Sequence, residues 1–147
     1  TGSLEFRSNA FSVASAGGAA SMLLATDGGS VELYHNTSKK IETSSSGVSV
    51  TGALVASGDV TAFSSIKLKS DIETIDNALD KVSRMRGVTF TKDEKKGSGV
   101  SAEEMEQVAP ELVMDGEYKS VAYGNIVGYL IEAIKELKAE IEELKKG

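Results

Sequence analysis

The sequence predicts an α+β protein: an intertwined, trimeric β stalk at the N-terminus, then a small α/β domain that ends in a coiled-coil helix. Three observations predict it. Residues 4–62 are poor in large apolar side chains yet carry short β-branched alternations between turn signals. From Thr74 onward the chain shows helical periodicity with capping and stop signals. Finally, Val127, Leu130, Ile134, Leu137, Ile141 and Leu144 recur at alternating spacings of three and four. The change of character falls at Phe63–Ser64, which predicts a stalk segment over residues 1–63 and a second domain over 64–147.

The strand signals of the first half are Val31-Glu32-Leu33-Tyr34, Lys40-Ile41-Glu42-Thr43, Val48-Ser49-Val50-Thr51, Leu54-Val55-Ala56 and Asp59-Val60-Thr61. Asp27-Gly28-Gly29, His35-Asn36-Thr37-Ser38, Ser46-Gly47 and Ser57-Gly58 separate them as turns or bulges. Before them the chain is filled with small residues, among them Ala10, Ala14, Ala16, Ala19 and Ala20. Ordering a backbone costs roughly 1–2 kcal/mol per residue, and strands with one thin apolar face bury too little to offset it. Three copies around one axis would cover that face and pair the exposed edges. The alternation is too regular for a plain Gly/Ser linker.

In the second half Thr74 is placed to cap a helix whose apolar positions Ile75, Leu79 and Val82 share a face, with Gly87 as its stop. Val88-Thr89-Phe90-Thr91 is a strand, followed by an exposed turn over residues 93–97. Ser101-Ala102-Glu103-Glu104 matches a capping box opening a short helix that Pro110 ends, and Asp115-Gly116 centres a hairpin. The last helix, about residues 125–146, places its repeat at a and d positions, with Glu140 at g and Lys145 at e able to pair between parallel neighbours. Ile at a with Leu at d favours two strands, so the copy number is left to the stalk and the globular part. The remaining alternative is an amphipathic helix packed within its own chain.

Composition narrows the function. At 147 residues the chain is too short for a large enzyme core. It has no cysteine, which removes disulfides, thiolate metal sites and cysteine nucleophiles. A net charge of -6 without a basic, aromatic-laced patch argues against nucleic acid as a partner. No apolar run is long enough to span a bilayer, so no membrane partner is expected. His35, the only histidine, gives a metal site or a histidine-based triad nothing to build on, and neither metal nor cofactor is expected. Glu103, Glu104 and Glu106 suit a helix face better than an acid pair, and the Lys/Glu run of residues 135–146 suits the outside of a coiled coil. Thr1-Gly2-Ser3 has the look of a cloning remnant, from which a C-terminal piece of a longer protein is expected.

One pairing at the seam carries chemistry. In Phe63-Ser64-Ser65-Ile66-Lys67-Leu68-Lys69, a hydroxyl and an amine stand five positions apart, and Ser-Lys pairs are a known form of activated nucleophile. A solvated lysine amine carries a proton and is no base; burial disfavours the charged form and frees the lone pair. Burial is therefore the natural switch for such a pair.

The order of blocks from Ser64 to Ile72, Asn77-Ala78-Leu79-Asp80-Lys81-Val82, Arg86-Gly87-Val88-Thr89-Phe90, and Ser101 to Glu111 resembles the C-terminal intramolecular chaperone domain of bacteriophage tail fibres, tailspikes and endosialidases. Tyr118 to Tyr123 and Leu130 to Leu137 continue the likeness, which spans residues 64–147, and the preceding repeats resemble the β stalk common in such proteins. The resemblance implies a homotrimer whose folding client is its own N-terminal fibre stalk, assembled in the host cytoplasm, with the stalk ending in the virion. It implies a self-cleaving serine peptidase acting once, in cis, with Ser64 and Lys69 as the catalytic pair and Phe63–Ser64 as the scissile bond. The family has Asp after its serine where this chain has Ser65, which leaves Ser65 as a competing nucleophile. The alternative is a non-cleaving trimerisation or structural tip of a phage fibre or adhesin; a receptor- or glycan-binding tip fits least, since aromatic residues are few.

Overall fold

The computed structural model describes residues 7–147; Thr1-Gly2-Ser3, expected to be a cloning remnant, lies outside the described residues. The chain divides into two compact units, Thr1–Phe63 and Ser64–Gly147. Among the described residues, no helix is long and apolar enough to cross a membrane.

Within one chain the first unit is a five-stranded antiparallel meander: β1 (Ala10–Ala14), β2 (Ser21–Thr26), β3 (Val31–His35), β4 (Ser38–Ser44) and β5 (Gly47–Val50), in that spatial order. The register lines Val13, Leu23, Leu33, Ile41 and Val50 across all five strands. Because side chains alternate between faces, this row makes one face apolar. Glu32 and Tyr34, of opposite parity to Leu33, join Lys39 in a polar network in which the Tyr34 hydroxyl and the Lys39 amine both donate to Glu32. These two donors, Tyr34 first, hold the Glu32 carboxyl below its ordinary range. The tight turn from β3 to β4 uses Asn36 and Thr37, both at positive φ (47° and 65°), the backbone twist that suits a two-residue hairpin.

One expectation for this unit needs correction, and two strands in it were not anticipated. Leu54-Val55-Ala56 and Asp59-Val60-Thr61 are not strands in one chain: they have no ladder partner within it and lie exposed. The small-residue opening, in turn, does form two strands, β1 and β2. Its alternation of Phe11 and Val13 with Ser12, diluted by alanine, is a faint strand signal on propensity, and pairing with the neighbouring strand completes it.

The second unit builds its core from short elements. A 3-10 turn (Ile66–Leu68) leads to α1 (Ala78–Arg84), the hairpin β6 (Val88–Lys92) and β7 (Lys95–Gly99), and α2 (Ala102–Glu106). Then come a 3-10 turn (Pro110–Leu112), the two-residue strands β8 (Val113–Met114) and β9 (Ser120–Val121), a third 3-10 turn and α3 (Ile126–Leu144). Met105, Ala109, Leu112 and Tyr129 are buried together, ringed by Ile75, Val82, Met85, Val100, Val113, Val121 and Ile126. α1 packs along α3, with the small residues Ala78 and Ala133 both buried.

Several caps differ from the sequence-based expectation. Thr74 does not cap α1; the chain enters through Asn77 at positive φ, and the amides of Ala78 and Leu79 donate to the Glu136 carboxylate on α3 at 3.0 and 2.7 Å. A carboxylate supplied from 57 residues away thus replaces the local cap, so Glu136 is no part of a solvated exterior. The capping box does not close either. Ser101 precedes α2, but its hydroxyl donates to Glu103 at 2.7 Å, while Glu104 is drawn off by the Arg86 guanidinium. The turn expected over residues 93–97 is tighter, with Asp93 and Glu94 at positive φ and Lys95 already paired to Lys92.

Candidate functional site

The residues around Ser64 form a closed turn. Ser65 sits extended (φ −63°, ψ 135°), the backbone state of an N-cap, and its side-chain Oγ accepts the Lys67 amide at 3.3 Å. The Leu68 amide donates to the Ser65 carbonyl at 3.1 Å and the Lys69 amide to the Ile66 carbonyl at 3.2 Å. Lys69 then leaves the turn extended, at φ −126° and ψ 144°. This geometry folds the chain back so that the Lys69 amine donates to Ser64 Oγ at 3.0 Å. The two residues expected as a pair are therefore in direct contact, five positions apart.

The neighbourhood is open. Ser64 and Lys69 are both exposed, as are Ile66, Leu68 and Ile72, and Phe63 is 98% exposed. Among the described residues no carboxylate lies within ion-pair distance of Lys69, so the serine oxygen is the partner its amine has. The separation of 3.0 Å suits a hydrogen bond in either direction: the ammonium donates to the hydroxyl, and the neutral amine accepts from it. What the pair can do chemically is therefore proton exchange between a hydroxyl and an amine, provided water is kept away.

Around the core, ion pairs fix the elements that follow. Asp76 accepts from Lys81 at 3.1 Å, and that amine lies 5.8 Å from the centre of the Tyr129 ring, whose hydroxyl donates to Glu111. The Lys81 contact holds the Asp76 carboxyl below its usual range. Arg86 does the same for Glu104, and Glu106, joined by Asp115, raises Lys119. Glu103, Glu104 and Glu106 thus each have a separate partner, which accounts for them without acid-base work.

The roles of two residues differ from those read in the sequence. Ser65 acts as a cap; a serine two positions before the amide it accepts is a recognisable cap spacing. Glu136 acts at long range, and no local pattern announces it.

Residues 64–114 match the family model described as chaperone of endosialidase, and the match opens at Ser64. That model carries a peptidase family name. The chain is also similar to the long tail fiber protein Gp37 of Enterobacteria phage K3 and to that of Enterobacteria phage T2, 35% identical over 95 residues in each case. These alignments cover 56% of this chain, but 8% and 7% of the two relatives. The chain thus spans under a tenth of the length of the relatives it matches.

Proposed function

We propose that this chain is the assembly end of a phage tail fibre or tailspike: its second unit trimerises and guides folding of the β stalk in front, then cuts itself away at Phe63–Ser64. Ser64 is the nucleophile and Lys69 the base. The observation that carries the reading is the 3.0 Å contact between Lys69 Nζ and Ser64 Oγ, at the residue where the family match opens.

In the cut, neutral Lys69 takes the hydroxyl proton as Ser64 Oγ adds to the Phe63 carbonyl carbon. Collapse of that adduct breaks the peptide C–N bond; the Ser64 nitrogen leaves with the proton returned by Lys69, and an ester joins Phe63 to the Ser64 side chain. Water hydrolyses the ester, giving a Phe63 carboxylate and a free Ser64. Burial disfavours the charged form of an amine, so the cut waits until partner copies cover the pair. Cutting then reports completed assembly. The released stalk loses its folding route but keeps its unfolding barrier, so its stability becomes kinetic.

The surfaces left open in one copy support association. No described residue of the first unit is buried, and its apolar row across five strands is uncovered. On α3, Tyr129 and Ala133 are buried, whereas the a and d positions from Val127 to Ile141 are 42–66% exposed. Three copies meeting along both surfaces account for them together. Ser64→Ala and Lys69→Ala should each run as an uncut chain on a denaturing gel, against two pieces for the parent; a cut Lys69→Ala chain refutes the dyad. The second reading, a non-cleaving trimeric tip, is favoured by the exposure of the Ser-Lys pair, and it predicts an uncut parent that is trimeric in solution.

A further inference from the structure

The second serine of the Ser-Ser pair has an engaged side chain in this turn. Five residues of extended chain span roughly 17 Å, further than a lysine side chain reaches, so Ser64 and Lys69 meet only while the intervening residues stay turned. Two backbone hydrogen bonds, from Leu68 to Ser65 and from Lys69 to Ile66, close that turn. The second amide inside it, that of Lys67, donates to no carbonyl of the turn and instead finds Ser65 Oγ at 3.3 Å. Ile66 and Leu68 are 70% and 72% exposed, so core packing does not hold the turn. Among the described residues, the Ser65 cap is then the one side-chain-to-backbone contact that favours the turned form.

Resting on the dyad reading above, we infer that Ser65 is a positioning residue for the cut: its Oγ caps the turn that holds Ser64 against Lys69, and it is not itself the nucleophile. The cap also explains how two adjacent serines divide the work. Ser64 Oγ faces the Lys69 amine, whereas Ser65 Oγ is turned onto its own backbone and has no hydrogen bond to any lysine amine among the described residues.

The test uses the full chain and follows both the cutting rate, by denaturing mass spectrometry, and the exchange of the Lys67 amide with solvent, by NMR. Loss of a cap shifts a local equilibrium by about five-fold, within a range of about 2–30. Ser65→Ala should slow the cut by that factor, leave the scissile bond at Phe63–Ser64, and speed Lys67 exchange to a similar extent. Ser65→Asp, which offers a carboxylate oxygen at the same cap position, should restore both. Since the turn lies outside the core, the thermal midpoint of Ser65→Ala should equal that of the parent. An unchanged rate in Ser65→Ala overturns the inference, as does abolished cutting that Ser65→Asp fails to rescue, which would make the Ser65 hydroxyl the reacting group. Cutting that persists at the same bond in Ser64→Ala sinks the dyad reading instead. If no variant cuts, Lys67 exchange decides the cap alone: faster exchange in Ser65→Ala supports it, unchanged exchange overturns it.

Discussion

At the scale of single residues, the second unit is held by carboxylates with defined partners. Glu136 accepts the first two amides of α1 and so ties that helix to α3. Removing a cap costs about 0.5–2 kcal/mol, so Glu136→Ala should lower stability by about that amount in urea unfolding. A change within experimental error would show that α1 needs no such anchor. Glu104 and Asp76 have folded pKa values lowered by Arg86 and Lys81. The stability each contributes is present above the ordinary carboxylate range near pH 4 and is lost as pH falls through the lowered folded value. The thermal midpoint should therefore fall on acidification below about pH 4, and Glu104→Gln should flatten that fall. An identical acid profile in the variant would remove the Arg86 pair as a contributor. The Ser64–Lys69 spacing was legible because both residues lie within six positions; Glu136 was not, because the amides it serves are 57 and 58 residues away.

At the scale of elements, periodic and punctuated segments were legible, and those whose form depends on a partner were not. α3 followed from its repeat, and β3, β4 and β5 from alternation and turns. The alternations at residues 54–56 and 59–61 look the same in sequence, yet they find no neighbouring strand in one chain and stay irregular. β1 and β2 had the reverse fate, weak in propensity and completed by pairing. The turn between β3 and β4 places the β-branched Thr37 at φ 65°, a conformation that glycine adopts freely. Thr37→Gly should stabilise the hairpin by about 1 kcal/mol, read as a higher unfolding midpoint; a lower midpoint would show that the threonine side chain contributes more than its backbone strain costs. On α3, the d position Leu137 is 44% exposed, and covering that remainder with a partner helix should gain about 1 kcal/mol. Leu137→Lys should therefore weaken association measured by sedimentation while leaving the buried Tyr129 face folded; unaltered association would place the contact elsewhere.

At the scale of the whole molecule, the two units leave different surfaces open, and the Ser64–Lys69 contact lies where one gives way to the other in sequence. The first unit offers an uncovered apolar sheet face, the second an uncovered helix seam and an uncovered Ser-Lys pair. Association that covers all three would link assembly to cutting, since the same event orders the stalk and drives water from the amine. The measurement that bears most directly on this is the mass of the purified full chain, taken first under native and then under denaturing conditions. The account predicts a particle of three copies that resolves, once denatured, into a piece ending at Phe63 and a piece beginning at Ser64. A single uncut copy under both conditions would contradict it.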